Sequence, residues 1–155
     1  MEKPTFPLIS IYNEEVLELM QNEEGYSKAT ASGLIKQKDN NVAFDSKGIK
    51  WNYLYKSAKF KNDFITKLLA KTIYNPKLNV TLEWRKIENY NIVELKEAIN
   101  LCVDKDDDII TQFAEGETIK EAINSSDSFI DITKVLKKYV FEVNEEELWQ
   151  EMDKE

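Results

Sequence analysis

Apolar residues recur at every second position in 49–55 and again in 78–84, then at every third or fourth position beyond residue 90. That change of period divides the chain into a strand-forming first part and a helix-forming second part. In the first segment Ile49, Trp51, Tyr53 and Tyr55 alternate with Lys50, Asn52, Leu54 and Lys56, so a strand here has an aromatic face and a mostly polar one. In the second, Leu78, Val80, Leu82 and Trp84 alternate with Asn79, Thr81, Glu83 and Arg85. Between them Asn62 or Asp63 can cap a helix whose Phe64, Ile65, Leu68, Leu69 and Ile73 share one stripe, ended by Asn75-Pro76.

Upstream, Phe6 to Tyr12 reads as a first strand, with Pro7 suited to its start. Asn13 before Glu14, Glu15 and the apolar set Val16, Leu17, Leu19 and Met20 resembles a capped short helix, with a hairpin strand as the alternative. Residues 29–36 and 42–44 read as short strands, and Asp45-Ser46-Lys47-Gly48 as the turn leading into Ile49. Past residue 90, three cap patterns precede apolar stripes: Asn91 with Glu94, Thr118 with Glu121, and Ser128 with Asp131. The expected architecture is α+β: an antiparallel sheet (meander) with one amphipathic helix in the first half, covered or flanked by a run of short helices in the second half. With 155 residues the chain suits a single domain, 1–155, strand-rich over 1–90 and helix-rich over 91–155.

The chain has no histidine and one cysteine. Disulfide frameworks, Cys/His zinc sites, histidine-assisted nucleophiles and imidazole acid/base chemistry are thereby excluded together. Four scattered glycines make no phosphate cradle, and Cys102 falls on the apolar stripe after Asn91, where a small core residue is expected rather than a nucleophile. Paired carboxylates suffice for glycoside chemistry, but no groove signature accompanies them. No enzyme activity and no cofactor are expected. No apolar run approaches the roughly 18 residues needed to cross a bilayer, and Met1-Glu2-Lys3-Pro4 carries neither a basic leader before an apolar stretch nor a cleavage site, so a cytoplasmic protein is expected.

The net charge of −8 conceals three zones. Residues 1–25 hold one Lys against six Glu, a net −5; residues 26–77 hold eleven Lys against three Asp, a net +8; residues 78–155 hold nine basic against twenty acidic groups, a net −11. Such an acidic balance repels phosphate backbones and attracts basic partners.

Three constellations compete for function. Asp104, Asp106 and Asp108 match the first, third and fifth positions of a calcium loop and Glu115 its twelfth, but Ile109 stands where the sharp turn needs Gly. An acidic helix N-terminus explains that run better. Lys47, Lys50, Lys56, Lys59 and Lys61 interleaved with Trp51, Tyr53, Tyr55 and Phe60 could stack bases and neutralise phosphates, which makes segment 47–61 the alternative, a nucleic-acid-binding module. Strand parity puts Trp51, Tyr53 and Tyr55 on one face and Lys50 and Lys56 on the other, which argues against it. Near the C-terminus Leu148, Trp149 and Met152 form an apolar triple in acidic surroundings; Trp149 either packs back on the domain or anchors a partner.

A small acidic α+β chain without catalytic groups, with a short meander around Phe44-Asp-Ser-Lys-Gly48, a strand like Leu78-Asn-Val-Thr-Leu82 and a helical second half, resembles the immunity proteins of bacterial contact-dependent and polymorphic toxin systems. The resemblance implies a protein that binds the C-terminal toxin domain encoded by a neighbouring gene, often a basic nuclease. It would mask that domain's active site or substrate groove, with acidic side chains standing in for phosphates. The partner-binding residues expected on this reading are Asp104, Asp106, Asp107, Asp108 and Glu115, with Trp149 as an anchor.

Overall fold

The computed structural model describes residues 1–57, 68, 77–106 and 108–141. The chain is α+β and divides into two compact units, Met1–Tyr90 and Asn91–Glu155. Among the described residues the first unit contains β1 (Leu8–Tyr12), β2 (Val16–Met20), β3 (Lys28–Thr30), α1 (Ala31–Lys36), β4 (Val42–Asp45), β5 (Ile49–Lys56), β6 (Lys77–Asn79) and β7 (Thr81–Asn89). Five strands form an antiparallel sheet in the order β2-β1-β4-β5-β7, while β3 and β6 pair separately. The helix expected over 62–73 lies outside the described residues apart from Leu68, which is helical and exposed.

The Asn13 segment resolves as a hairpin. Asn13 and Glu14 both take positive φ (52° and 68°), and Glu15 N donates to Tyr12 O at 3.2 Å, the geometry of a tight turn that matches strand twist. Residues 29–36 are strand only to Thr30, because the Thr30 hydroxyl accepts from Gly33 N at 3.0 Å and starts α1 instead. The single strand expected around Leu78–Trp84 is two strands in different sheets, separated at Val80, whose N–H bonds Ser27 O at 2.8 Å. The turn at Asp45–Gly48 forms as expected, with Gly48 at φ +80°.

Parity in β5 holds. Trp51 and Tyr53 are buried with Leu8, Met20, Ala43 and Trp84, and Phe6, Tyr12, Tyr26, Tyr55 and Leu82 pack against them. Removing an aromatic side chain from water contributes about 2–3 kcal/mol, so this aromatic layer dominates the unit's core. The pairing of Lys50 with Glu88 and Trp51 with Lys86 leaves Ile87 as an extra residue in β7, a bulge that exposes it.

The second unit contains α2 (Ile92–Asp104), α3 (Gly116–Asn124) and α4 (Phe129–Tyr139) among its described residues. Two of the three expected caps are present: Asn91 Oδ1 accepts from Glu94 N at 3.0 Å, and Ser128 Oγ from Asp131 N at 3.1 Å. The third is displaced. α3 begins at Gly116, so Thr118 lies inside it and Glu115 takes the cap position without a side-chain bond. Gly116 sits at a close approach: a Cβ there would lie 3.3 Å from Val103 Cγ1, and that side chain would have to give by a few tenths of an ångström. Leu95, Ile99, Cys102, Ile119, Ile123, Ile132 and Leu136 are the buried stripes of the three helices.

Candidate functional site

The last turn of α2 delivers Asp104, and the following loop returns the chain to α3 at Glu115. Within it Ile110–Gln112 makes one 3-10 turn. Asp106 holds that turn in place, accepting from Ile109 N at 3.2 Å, Thr111 N at 2.9 Å and Thr111 Oγ1 at 3.0 Å. Desolvation acts to raise its pKa, but these hydrogen bonds outweigh it and hold the carboxyl below the ordinary range.

Asp104 Oδ1 pairs with Lys120 Nζ at 2.8 Å, and the same ammonium meets Glu117 Oε1 at 2.9 Å. The hydrogen bonds to Asp104 and Glu117 push the Lys120 pKa up. Asp108 (φ 66°) and Glu115 are exposed. Asp107 and Trp149 lie outside the described residues. The expected acidic residues therefore share one loop but do not converge: Asp104 faces a lysine, Asp106 faces backbone, and the other two described acids point their charge to solvent. Among the described residues no group of three or more carboxylate or thiol side chains is placed to hold a metal ion. The reading of this run as a helix N-terminus fits Asp106 alone, since Asp104 closes the preceding helix and Glu115 makes no cap bond.

Sequence reasoning missed the apolar members of the loop. Ile110 is buried (5% exposed) and anchors the 3-10 turn, while its neighbours Ile109 (75% exposed) and Phe113 (55% exposed) project outward. Scattered exposed apolar residues are ordinary, but two in one hydrogen-bonded loop flanked by unpaired carboxylates make a rigid mixed surface. Their signal was present: three apolar residues at 109, 110 and 113 cannot all face inward from a single short turn. Lys120 was also missed, although Glu117 three residues before it announces an ion pair on one helix face.

Of the aromatics of segment 47–61, Trp51 and Tyr53 are buried, half-buried Tyr55 packs against them, and Trp51 Nε1 donates to Asp45 Oδ2 at 2.9 Å. Lys56 pairs with Glu83 at 2.6 Å, and Lys50 lies 3.9 Å from Glu88 and 5.7 Å from the Phe44 ring centroid. Lys59, Phe60 and Lys61 lie outside the described residues. Cys102 is 2% exposed, and burial, partly offset by Lys105, pushes its thiol up to about 11, as suits a core residue and not a nucleophile. No helix among the described residues is long and apolar enough to cross a membrane. Comparison with protein-family models, curated proteins and solved structures finds no match to this chain.

Proposed function

We propose that this chain is a protein-binding inhibitor without catalytic activity, and that it engages a basic partner through the loop from Asp104 to Glu115. The observation that carries the reading is Ile109 and Phe113 held in solvent beside Asp108 and Glu115, on a loop fixed by Asp106 and Ile110. Holding apolar anchors in place before binding lowers the entropic cost of association, and surrounding acids steer a cationic surface toward them. The resemblance to immunity proteins supplies the finer form of the proposal: the partner is a toxin domain, in particular a basic nuclease, whose active site or substrate groove the acidic surface masks. Asp107 belongs to the proposed loop by its position in the sequence, and Trp149 in the C-terminal segment is proposed as a separate anchor.

The test begins with the tagged protein as bait in nuclease-treated host lysate, eluted in salt steps. The eluted partner is then purified and its affinity measured for the wild type, for Ile109→Asp with Phe113→Asp, and for Val93→Ser as an exposed control on α2. The expected outcome is at least tenfold weaker binding for the loop variant, no change for the control, and loss of partner activity at one equivalent of wild type. Unchanged affinity of the loop variant, or a saturated partner that stays active, would sink the proposal. The nucleic-acid alternative predicts retention on DNA or RNA that falls steeply with salt and disappears in Lys50→Glu with Lys56→Glu.

A further inference from the structure

β7 ends the five-stranded sheet of the first unit and pairs with β5 on one side only. No backbone hydrogen bond from another described element reaches its outer edge, and Arg85 to Asn89 are exposed without a break. Such an edge presents a row of N–H and C=O groups that a further strand can use. Charges and bulges are the usual guards against that, and β7 carries both. Whether they guard it depends on the register in which a second strand arrives.

The bulge at Ile87 leaves Leu82–Lys86 in regular pairing with β5: Leu82 lies opposite Tyr55, Trp84 opposite Tyr53 and Lys86 opposite Trp51. Over this stretch Leu82, Trp84 and Lys86 share the aromatic face, and Glu83 and Arg85 share the polar one. Glu83 pairs with Lys56 at 2.6 Å, Lys86 with Glu2 at 3.7 Å and Glu88 with Lys50 at 3.9 Å. Arg85, the remaining charge of β7, is exposed and meets no carboxylate among the described residues.

Two copies of β7 can meet antiparallel about a two-fold axis. Residues directly opposite one another share a face, so the axis must pass between one residue and its own copy. Centred on Glu83, Arg85 or Lys86, the pairing sets that residue against its own like charge, which is destabilising. Centred on Leu82, it overlaps little of the regular stretch. Centred on Trp84, it uses all of Leu82–Lys86 and brings no like charges together: Glu83 faces Arg85 of the second copy on both sides of the axis, and Leu82 faces the alkyl stem of Lys86. The unanswered Arg85 gains a carboxylate. We infer that β7 is a self-complementary edge through which two copies of this chain join, at Leu82–Lys86, so that their five-stranded sheets become one continuous antiparallel sheet. The occupant is a second copy because the charge pattern of the edge matches its own reverse.

Analytical ultracentrifugation of the full chain from micromolar to millimolar concentration reads the dimer, and amide hydrogen exchange by NMR at both ends of that range locates it. The expected result is a reversible dimer in which exchange slows within Leu82–Lys86 and not in β2 at the opposite edge. Glu83→Arg and Arg85→Glu each set like charges opposite one another on both sides of the axis, and each is expected to weaken dimerisation roughly tenfold or more. Mixed together, the two variants are complementary again and are expected to form a heterodimer, which also shows that both fold. Glu88→Arg makes the same change in net charge beyond the bulge and is expected to leave the dimer intact. A monomer throughout, with the β7 amides unprotected, would overturn the inference and leave the edge to a strand of another protein or to none. Single variants that dimerise like the wild type, cooperatively folded variants that fail to combine when mixed, or equal weakening in Glu88→Arg would overturn it as well.

Discussion

Among the described residues of the first unit the Asp45 side chain accepts four hydrogen bonds, and Asp45→Asn isolates its role. The residue is completely buried. Oδ1 accepts from Lys47 N and Ile49 N, both at 2.9 Å, and Oδ2 accepts from Trp51 Nε1 at 2.9 Å and Thr5 N at 3.5 Å. An amide can reproduce the first pair with its oxygen, but its NH2 group then faces two N–H donors. One hydrogen bond to a charged acceptor is lost, about 1.5–3 kcal/mol, and the buried indole N–H is left unsatisfied, about 1–3 kcal/mol more. The expected loss is about 2.5–6 kcal/mol, a large part of the roughly 5–15 kcal/mol that holds a domain folded. Urea unfolding followed by tryptophan fluorescence measures it, in a Trp149→Phe background so that Trp51 and Trp84 report on this unit. Trp51→Phe removes the facing donor, so Asp45→Asn in that background is expected to cost about 2 kcal/mol less. A cost below about 1 kcal/mol, or no coupling in the double-mutant cycle, would refute this account of the turn.

The helix starts make a second expectation: Ser128→Ala costs about 1 kcal/mol by removing the bond to Asp131 N, while Thr118→Ala, inside α3, stays within about 0.5 kcal/mol in thermal or urea melts. Stability against pH separates two carboxylates. Asp106, held below the ordinary range, contributes stability that is present above its unfolded pKa and lost as pH falls through its folded value, so Asp106→Asn flattens the acid limb. Glu18, held above that range, contributes in the opposite sense: its term is present below the unfolded pKa and lost as pH rises through the folded one, and Glu18→Gln removes that decline. Cys102 is expected to alkylate far more slowly with iodoacetamide at pH 8 in the native protein than in urea; equal rates would contradict its burial.

Where one physical signal governed an element, the sequence was enough to place it. The alternation over 49–55 foretold which side of β5 is buried, and Asn91 and Ser128 marked true helix starts because their side chains bond the third N–H beyond. Errors arose where local chemistry had two outlets. Thr30 before Ala-Ser-Gly reads as strand by its β-branched side chain, yet the same hydroxyl caps α1. Asn13 and Glu14 read as a helix start, yet both adopt the left-handed conformation of a hairpin. Long-range pairing was out of reach: nothing local says that β1 sits between β2 and β4, or that β7 lies at an edge. The acidic loop was legible as charge but not as charge already used, because Lys120, the partner of Asp104, arrives only when α3 returns beside α2, and the partners of Asp106 only when Ile110–Gln112 closes its 3-10 turn.

That distinction decides how the proposed interface would work. Lys120 answers Asp104 and Glu117, and backbone donors answer Asp106, leaving Asp108 and Glu115 as described acids of the loop with no such engagement. Exposed charges of this kind are worth little once a complex has formed, but they act over about 8–10 Å at ordinary salt. Ile109 and Phe113 lose their water only on close contact. The proposed surface thus separates two kinetic effects. Asp108→Asn with Glu115→Gln should slow association and reduce its salt dependence with little change in dissociation. Ile109→Ala with Phe113→Ala should leave the association rate nearly intact and speed dissociation at least tenfold. Surface plasmon resonance of the purified pair at two salt concentrations measures both, and charge variants that alter only dissociation would show that the carboxylates make buried contacts instead of steering the approach.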